Sequence, residues 1–179
     1  MDTGTAAAFL VSRTGQAGQD AAARELAAEL GGLPLALEQA AAYMQASGRS
    51  IGGYLELFRQ RSLDLLGRGE AAGYGKQVTT TWALAFDQIQ QGAPGAAGLL
   101  RLLACCAPEA IPLGSLLQPR PELAEQFGTE VARVLEPLLS DPLAADDAVA
   151  VLRRYSLISA PQDGAVSVHR LVHGPGGMT

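Results

Sequence analysis

The sequence predicts a mainly α protein: a small antiparallel helical bundle followed by a winged-helix domain ending in a β-hairpin. Three observations predict it. Apolar residues recur at helical spacing over most of the 179 residues. Glycine and proline divide them into short segments. Near the C-terminus the pattern changes to strict alternation, Val166 and Val168 between Ser167 and His169, the signature of a half-buried strand.

The elements follow in order. Ala23, Leu26, Ala27 and Leu30 form one helical face, Leu37, Ala40, Ala41 and Met44 a second, and Tyr54, Leu55, Phe58 and Leu65 a third. Asp20 and Ser50 are the expected N-caps of the first and third helices, because their side chains can accept from first-turn N–H groups. Between the first two helices stands "GGLP": glycine reaches the left-handed conformation that ends a helix, and Pro34 fits the first turn of the next. The segment "GRGEAAGYGK", residues 67–76, reads as a loop. Val78, Trp82, Phe86 and Ile89 resume the helical period, with Trp82 and Phe86 as core.

The domain boundary is expected near residues 91–95, giving a bundle over 1–92 and a second domain over 93–179. Pro108, Pro112, Pro119, Pro121, Pro137 and Pro142 predict short helices with sharp joints, before a last long helix from about Asp146 to Tyr155. "SLISA" and "AVSVH" flank "PQDG" as the two strands of a hairpin. Helices followed by a hairpin is the order of a winged helix.

Composition narrows the function classes. Thirteen basic against eighteen acidic residues leave a net charge of −5, without the basic stripe of a nucleic-acid or anionic-membrane binder. The start, "MDTGTAAAFLVSRTG", has the flanks of neither a signal peptide nor a membrane span, so a cytoplasmic protein is expected. Cys105 and Cys106 are adjacent, which strains an intramolecular disulfide, and read as buried thiols in an apolar helix.

No catalytic constellation emerges from the sequence. "GYGK" fails the phosphate-cradle pattern, with Glu70 where a glycine and Gln77 where a hydroxyl is needed. His169 and His173 lack the intervening acid of a zinc helix, and no metal site is expected. Asp146 and Asp147 read as a solvated helix start, and the serines lack a nucleophile-elbow setting. The chain alone is expected not to be an enzyme.

Two segments carry a resemblance. "GGLPLALEQAA" resembles the G-L-P-L-A motif of the NB-ARC class of signal-transduction NTPases, the STAND proteins. "VSVHRLVH" resembles their segment usually written Met-His-Asp, and "LLACCAPEAIPL" and "LRRYSLI" look like bacterial multi-domain members. In that family a P-loop domain precedes a helical bundle with the first motif and a winged helix with the second, and tetratricopeptide repeats often follow. The resemblance covers nearly the full chain as the middle two domains.

It implies that the motif proline packs on adenine and that the motif histidine contacts the β-phosphate of ADP in the resting state. Carried over by position, the nucleotide-binding residues are Gly32, Leu33, Pro34 and His169. Val168 stands for the usual methionine and Arg170 for the aspartate. The implied cofactor is ADP or ATP, bound weakly or not at all without a P-loop domain. The implied partners are that domain, in cis or trans, and a downstream repeat domain or a second copy. The chain would then be a fragment, a split partner or a truncated relative. The alternative is a DNA-binding winged-helix regulator, with Arg153 and Arg154 near the wing, opposed by the nearby Asp141, Asp146 and Asp147.

Overall fold

Hydrophobic stripes of helical period need partners, and the computed structural model shows which they find. It describes residues 1–67, 76–106, 108–118, 129–160 and 162–168. The described residues form nine helices and a two-stranded antiparallel sheet. The chain divides into two compact units, Met1–Ala85 and Phe86–Thr179.

The first unit contains α1 (Thr3–Thr14), α2 (Asp20–Glu29), α3 (Pro34–Ser47), α4 (Ile51–Gly67) and the first part of α5 (Lys76–Gly92). Helix α1 packs on α2 and α3, and α4 packs on both of those. The three expected faces are buried: Leu26, Leu30, Leu37, Ala40 and Tyr54 have no accessible surface. Fully burying a leucine contributes about 1.5–3 kcal/mol, so these stripes hold the bundle.

Helix α1 has no counterpart in the sequence reading. Its N-cap Asp2 accepts from the Thr5 N–H at 2.9 Å, and Gly15 ends it at φ +70°. The Thr5 hydrogen bonds hold the Asp2 carboxyl below its ordinary pKa of 3.8. Ala6, Ala7 and Leu10 supply the buried stripe, too short and alanine-rich to stand out by periodicity.

The capping expectations divide. Ser50 does cap α4, accepting from the Gly53 N–H at 3.1 Å. Asp20 does not cap α2: it is the first residue of the helix, and the cap position belongs to Gln19 without a side-chain bond. An acid in the first turn still favours the positive end of the helix dipole. The glutamines of the α1–α2 connection serve a different helix. Gln16 accepts from the Ile51 N–H at 2.9 Å and Gln19 from the Gly52 N–H at 3.2 Å, so α4 is capped across the fold.

In the second unit, α6 (Pro94–Ala104), α8 (Thr129–Ser140) and α9 (Pro142–Arg154) pack against one another, with α7 (Leu113–Leu116) beside the sheet. Gly98 lets α6 and α8 approach: a Cβ there would lie 2.3 Å from a Val134 methyl. Three expectations are corrected here. Pro137 sits inside α8 and makes no joint. The last helix starts at Pro142, capped by Asp141, which places Asp146 and Asp147 in its interior. The cysteines are not buried: α6 ends at Ala104, leaving Cys105 exposed and Cys106 half-buried.

The expected hairpin is present as isolated bridges, Ile158 with Val168 and Gln162 with Ala165. A strand not expected from the sequence joins it: β1 (Ile111–Pro112) pairs antiparallel with β2 (Ala165–Val166), Ile111 opposite Val166. The pairs bury Ile111, Ile158, Val166 and Val168 together with Leu152. A two-residue strand containing a proline gives no period to read.

Candidate functional site

The turn between α2 and α3 is built by backbone requirements. Gly31 and Gly32 both take left-handed conformations, φ +63° and +61°. The Gly32 N–H donates to Ala27 O at 3.1 Å and the Gly31 N–H to Ala28 O at 3.0 Å, the paired bonds of a Schellman ending. Leu33, extended at φ −72° and ψ 118°, is the N-cap of α3, and Pro34 opens the helix. Leu33 has no side-chain acceptor, so the first turn receives no cap bond from its own cap residue.

The four residues differ in access. Gly32 is buried, Leu33 half-buried, and Gly31 and Pro34 exposed. The Pro34 ring is thus a flat apolar surface on solvent at a helix N-terminus without a side-chain cap. Two other segments border the turn. The Met1 amino group donates to Gly32 O at 2.8 Å. On α5, the Gln77 amide nitrogen lies 3.8 Å from where a Gly31 Cβ would stand, and its amide oxygen is buried without a hydrogen-bond partner.

Further along α3, Gln39 is buried at 1% exposure and meets the equally buried Thr81 of α5 at 2.7 Å. Gln39 is not among the residues the sequence singles out, and Gln77 is so only as a break in the phosphate-cradle pattern. A signal existed for Gln39: it shares a helical face with Ala36, three residues before it, and Tyr43, four after it, both apolar and both buried. On the outer side of α3, Glu38 and Gln45 receive the Arg13 guanidinium at 3.2 and 2.6 Å, an exposed tie of small energetic weight.

His169 and His173 lie outside the described residues. The residue before His169 is well placed within the second unit: Val168 is 4% exposed and its N–H donates to Pro108 O at 2.8 Å. The three motif residues Gly32, Leu33 and Pro34 are therefore together on one turn, while the fourth is not described. Arg153 and Arg154 are exposed in the last turn of α9, where a cation favours the negative end of the helix dipole. Phe86 is buried, with the Arg101 guanidinium 5.3 Å above its ring, and Trp82 is half-buried.

Among the described residues no group of three or more His, Cys, Asp or Glu could hold a metal ion, and no catalytic arrangement is evident. No helix among them is long and apolar enough to cross a membrane.

The chain is similar to a nucleotide-binding leucine-rich repeat (NLR)-like protein of Hyaloscypha variabilis, 27% identical over 162 residues. The alignment covers 84% of this chain but 14% of the relative, a far longer protein. The likeness is distant and partial, and relates this chain to a region of an NLR-like protein. No family model matches the chain, and no solved structure matches it.

Proposed function

We propose that this chain is the regulatory module of a STAND-type, NB-ARC-like signalling switch, which closes over ADP held by a P-loop domain outside the chain. The helical bundle, residues 1–92, offers the adenine platform of Gly32, Leu33 and Pro34. The winged helix, residues 93–179, brings His169 toward the β-phosphate. ATP in place of ADP changes the contacts available to His169 and releases the closed form, since a ligand shifts such an equilibrium only through its differential affinity.

The observation that carries this reading is the exposed Pro34 ring at a helix start whose cap residue offers no acceptor. Folding asks a proline at this position only to fix φ and to lack an N–H. An exposed ring beside first-turn N–H groups is suited to the face and polar edge of a base. The similarity to an NLR-like protein supports the same reading, with the nucleotide-binding description belonging to that relative.

The test is an ADP titration of the isotope-labelled chain followed by amide resonances, alone and with a separately supplied P-loop domain. One apolar face and one phosphate contact predict a dissociation constant on the order of a millimolar for the chain alone, about −4 kcal/mol. The expected result is a weak response at Gly32–Ala36 and the residues around position 169, strengthened by the added domain. Pro34→Ala should abolish the response while changing stability by only about 0.4–1 kcal/mol, the usual backbone-entropy effect. Absence of any response in both samples overturns the nucleotide reading.

A further inference from the structure

We propose that Gln39 and Thr81 form a positioning joint through which changes at the Pro34 turn are transmitted to α5. Pro34 and Gln39 belong to the same helix, about 7.5 Å apart along its axis at 1.5 Å per residue, so they move as one rigid piece. The joint lies where that piece meets α5. Gln39 and Thr81 are each 1% exposed, and the amide and hydroxyl are 2.7 Å apart.

The kind of contact matters more than its strength. Apolar helix faces can slide by fractions of an ångström without losing much, because dispersion and burial are not directional. A buried amide and hydroxyl cannot, because separating them leaves desolvated polar groups without partners. The Thr81 hydroxyl is also 2.9 Å from Val78 O, inside its own helix. A hydroxyl has one proton to give. As placed, the hydroxyl faces two acceptors, Gln39 Oε1 and Val78 O, and can give its proton to only one; turning the Gln39 amide so that its NH2 donates to the hydroxyl oxygen frees that proton for Val78 O and keeps both contacts. Thr81 is thereby tied to its own helix and to α3 at once.

Gln77, one turn before Thr81 on α5, lies near the turn: its amide nitrogen is 3.8 Å from where a Gly31 Cβ would stand. Gln77 and Thr81 therefore follow the motif segment from its turn to its buried glutamine. Helix α5 is also where the chain passes from the first compact unit to the second, between Ala85 and Phe86. A tie at Thr81 acts on the helix that joins the two units.

The experiment reads the amide shifts of Thr81–Ala85 in the full chain. Pro34→Ala perturbs the turn without any ligand, and is made in the native background and in a Gln39→Leu/Thr81→Val background, which replaces both polar partners by apolar groups of similar shape. The expected result is a response at Thr81–Ala85 in the native background, reduced at least fivefold when the joint is removed and restored with Thr81→Ser, which keeps the hydroxyl. Should the double variant not fold, Thr81→Ala makes the same comparison. An equal response in both backgrounds, or none in the native one, overturns the proposal.

ADP provides a second arm, which rests on the nucleotide reading. If ADP shifts Gly32–Ala36, it should also shift Thr81–Ala85 through the joint, and a turn response without an α5 response counts against it. If ADP shifts nothing while Pro34→Ala still reaches α5, the nucleotide reading fails and the joint stands.

Discussion

Two adjacent glycines of the motif turn should respond unequally to the same substitution. Gly31 and Gly32 share almost the same backbone conformation, φ +63° and +61°, so alanine at either forces an L residue into the left-handed region at about 1–2 kcal/mol. Their surroundings differ. A Cβ at Gly31 meets nothing nearer than the Gln77 amide nitrogen at 3.8 Å, ordinary contact distance. A Cβ at Gly32 lies 2.2 Å from the Met1 carbonyl oxygen, and no rotamer relieves a collision with backbone. Met1 must move away, which forfeits its 2.8 Å hydrogen bond to Gly32 O, worth about 0.5–1.5 kcal/mol. Gly31→Ala should therefore cost about 1–2 kcal/mol and Gly32→Ala about 1 kcal/mol more. Urea unfolding monitored by circular dichroism measures the difference. Thermal melting should show it as a gap of about 4–8 °C for a unit of this size. Equal losses at the two positions would refute the placement of Met1 against the turn, and no loss at either would refute the left-handed Schellman ending itself.

Other outcomes test the packing away from the turn. Tyr54 is fully buried between Tyr43 and Phe58 and its hydroxyl has no partner, so Tyr54→Phe should raise stability by about 1–3 kcal/mol, read from the urea midpoint. Gly98→Ala should destabilise despite the better helix propensity of alanine. Val134 is β-branched and cannot easily rotate its methyl away, so overpacking of about 1–3 kcal/mol exceeds a propensity gain of about 1. Adding Val134→Ala should recover part of that loss. The Asp2 carboxyl, depressed by its bonds to Thr5, stabilises the fold above its unfolded pKa near 3.8, and this contribution is lost as pH falls through the lower folded value. The Thr5 amide shift should accordingly titrate with a midpoint below 3.8, and a midpoint at or above it would remove the cap.

What the sequence made legible was whatever follows from one segment at a time. Leu26, Leu30, Leu37, Tyr54 and Phe58 are recognisable as core from spacing alone, because burial of a helical stripe is a local pattern with a nonlocal consequence. Pro34 and the two glycines are legible for the same reason, since each obeys a dihedral rule. The failures needed a second segment. Gln16 and Gln19 look like loop residues until Ile51 and Gly52 arrive opposite them. Ile111 and Pro112 become a strand only because Val166 and Ala165 offer an edge, and Asp20 loses its expected role because the chain enters α2 one residue earlier. Pro137 stays, exposed, within a helix that its missing N–H should have interrupted, and that helix packs on α6 and α9.

The candidate site divides along the same line, and the division says where to look for function. Gly31, Gly32 and Leu33 are fully occupied in making the turn: two left-handed residues, a pair of Schellman bonds and a cap. They would be required whether or not anything bound. Pro34 is required only for its φ and its missing N–H, and folding leaves its exposed ring unused. A substitution at the glycines therefore mixes folding with binding and cannot separate them. At Pro34 the two effects differ in size: alanine keeps a good helix former at the first position and removes the ring. A large loss of ligand response there, set against a small loss of stability, is the signature that distinguishes a retained platform from a turn that only folds.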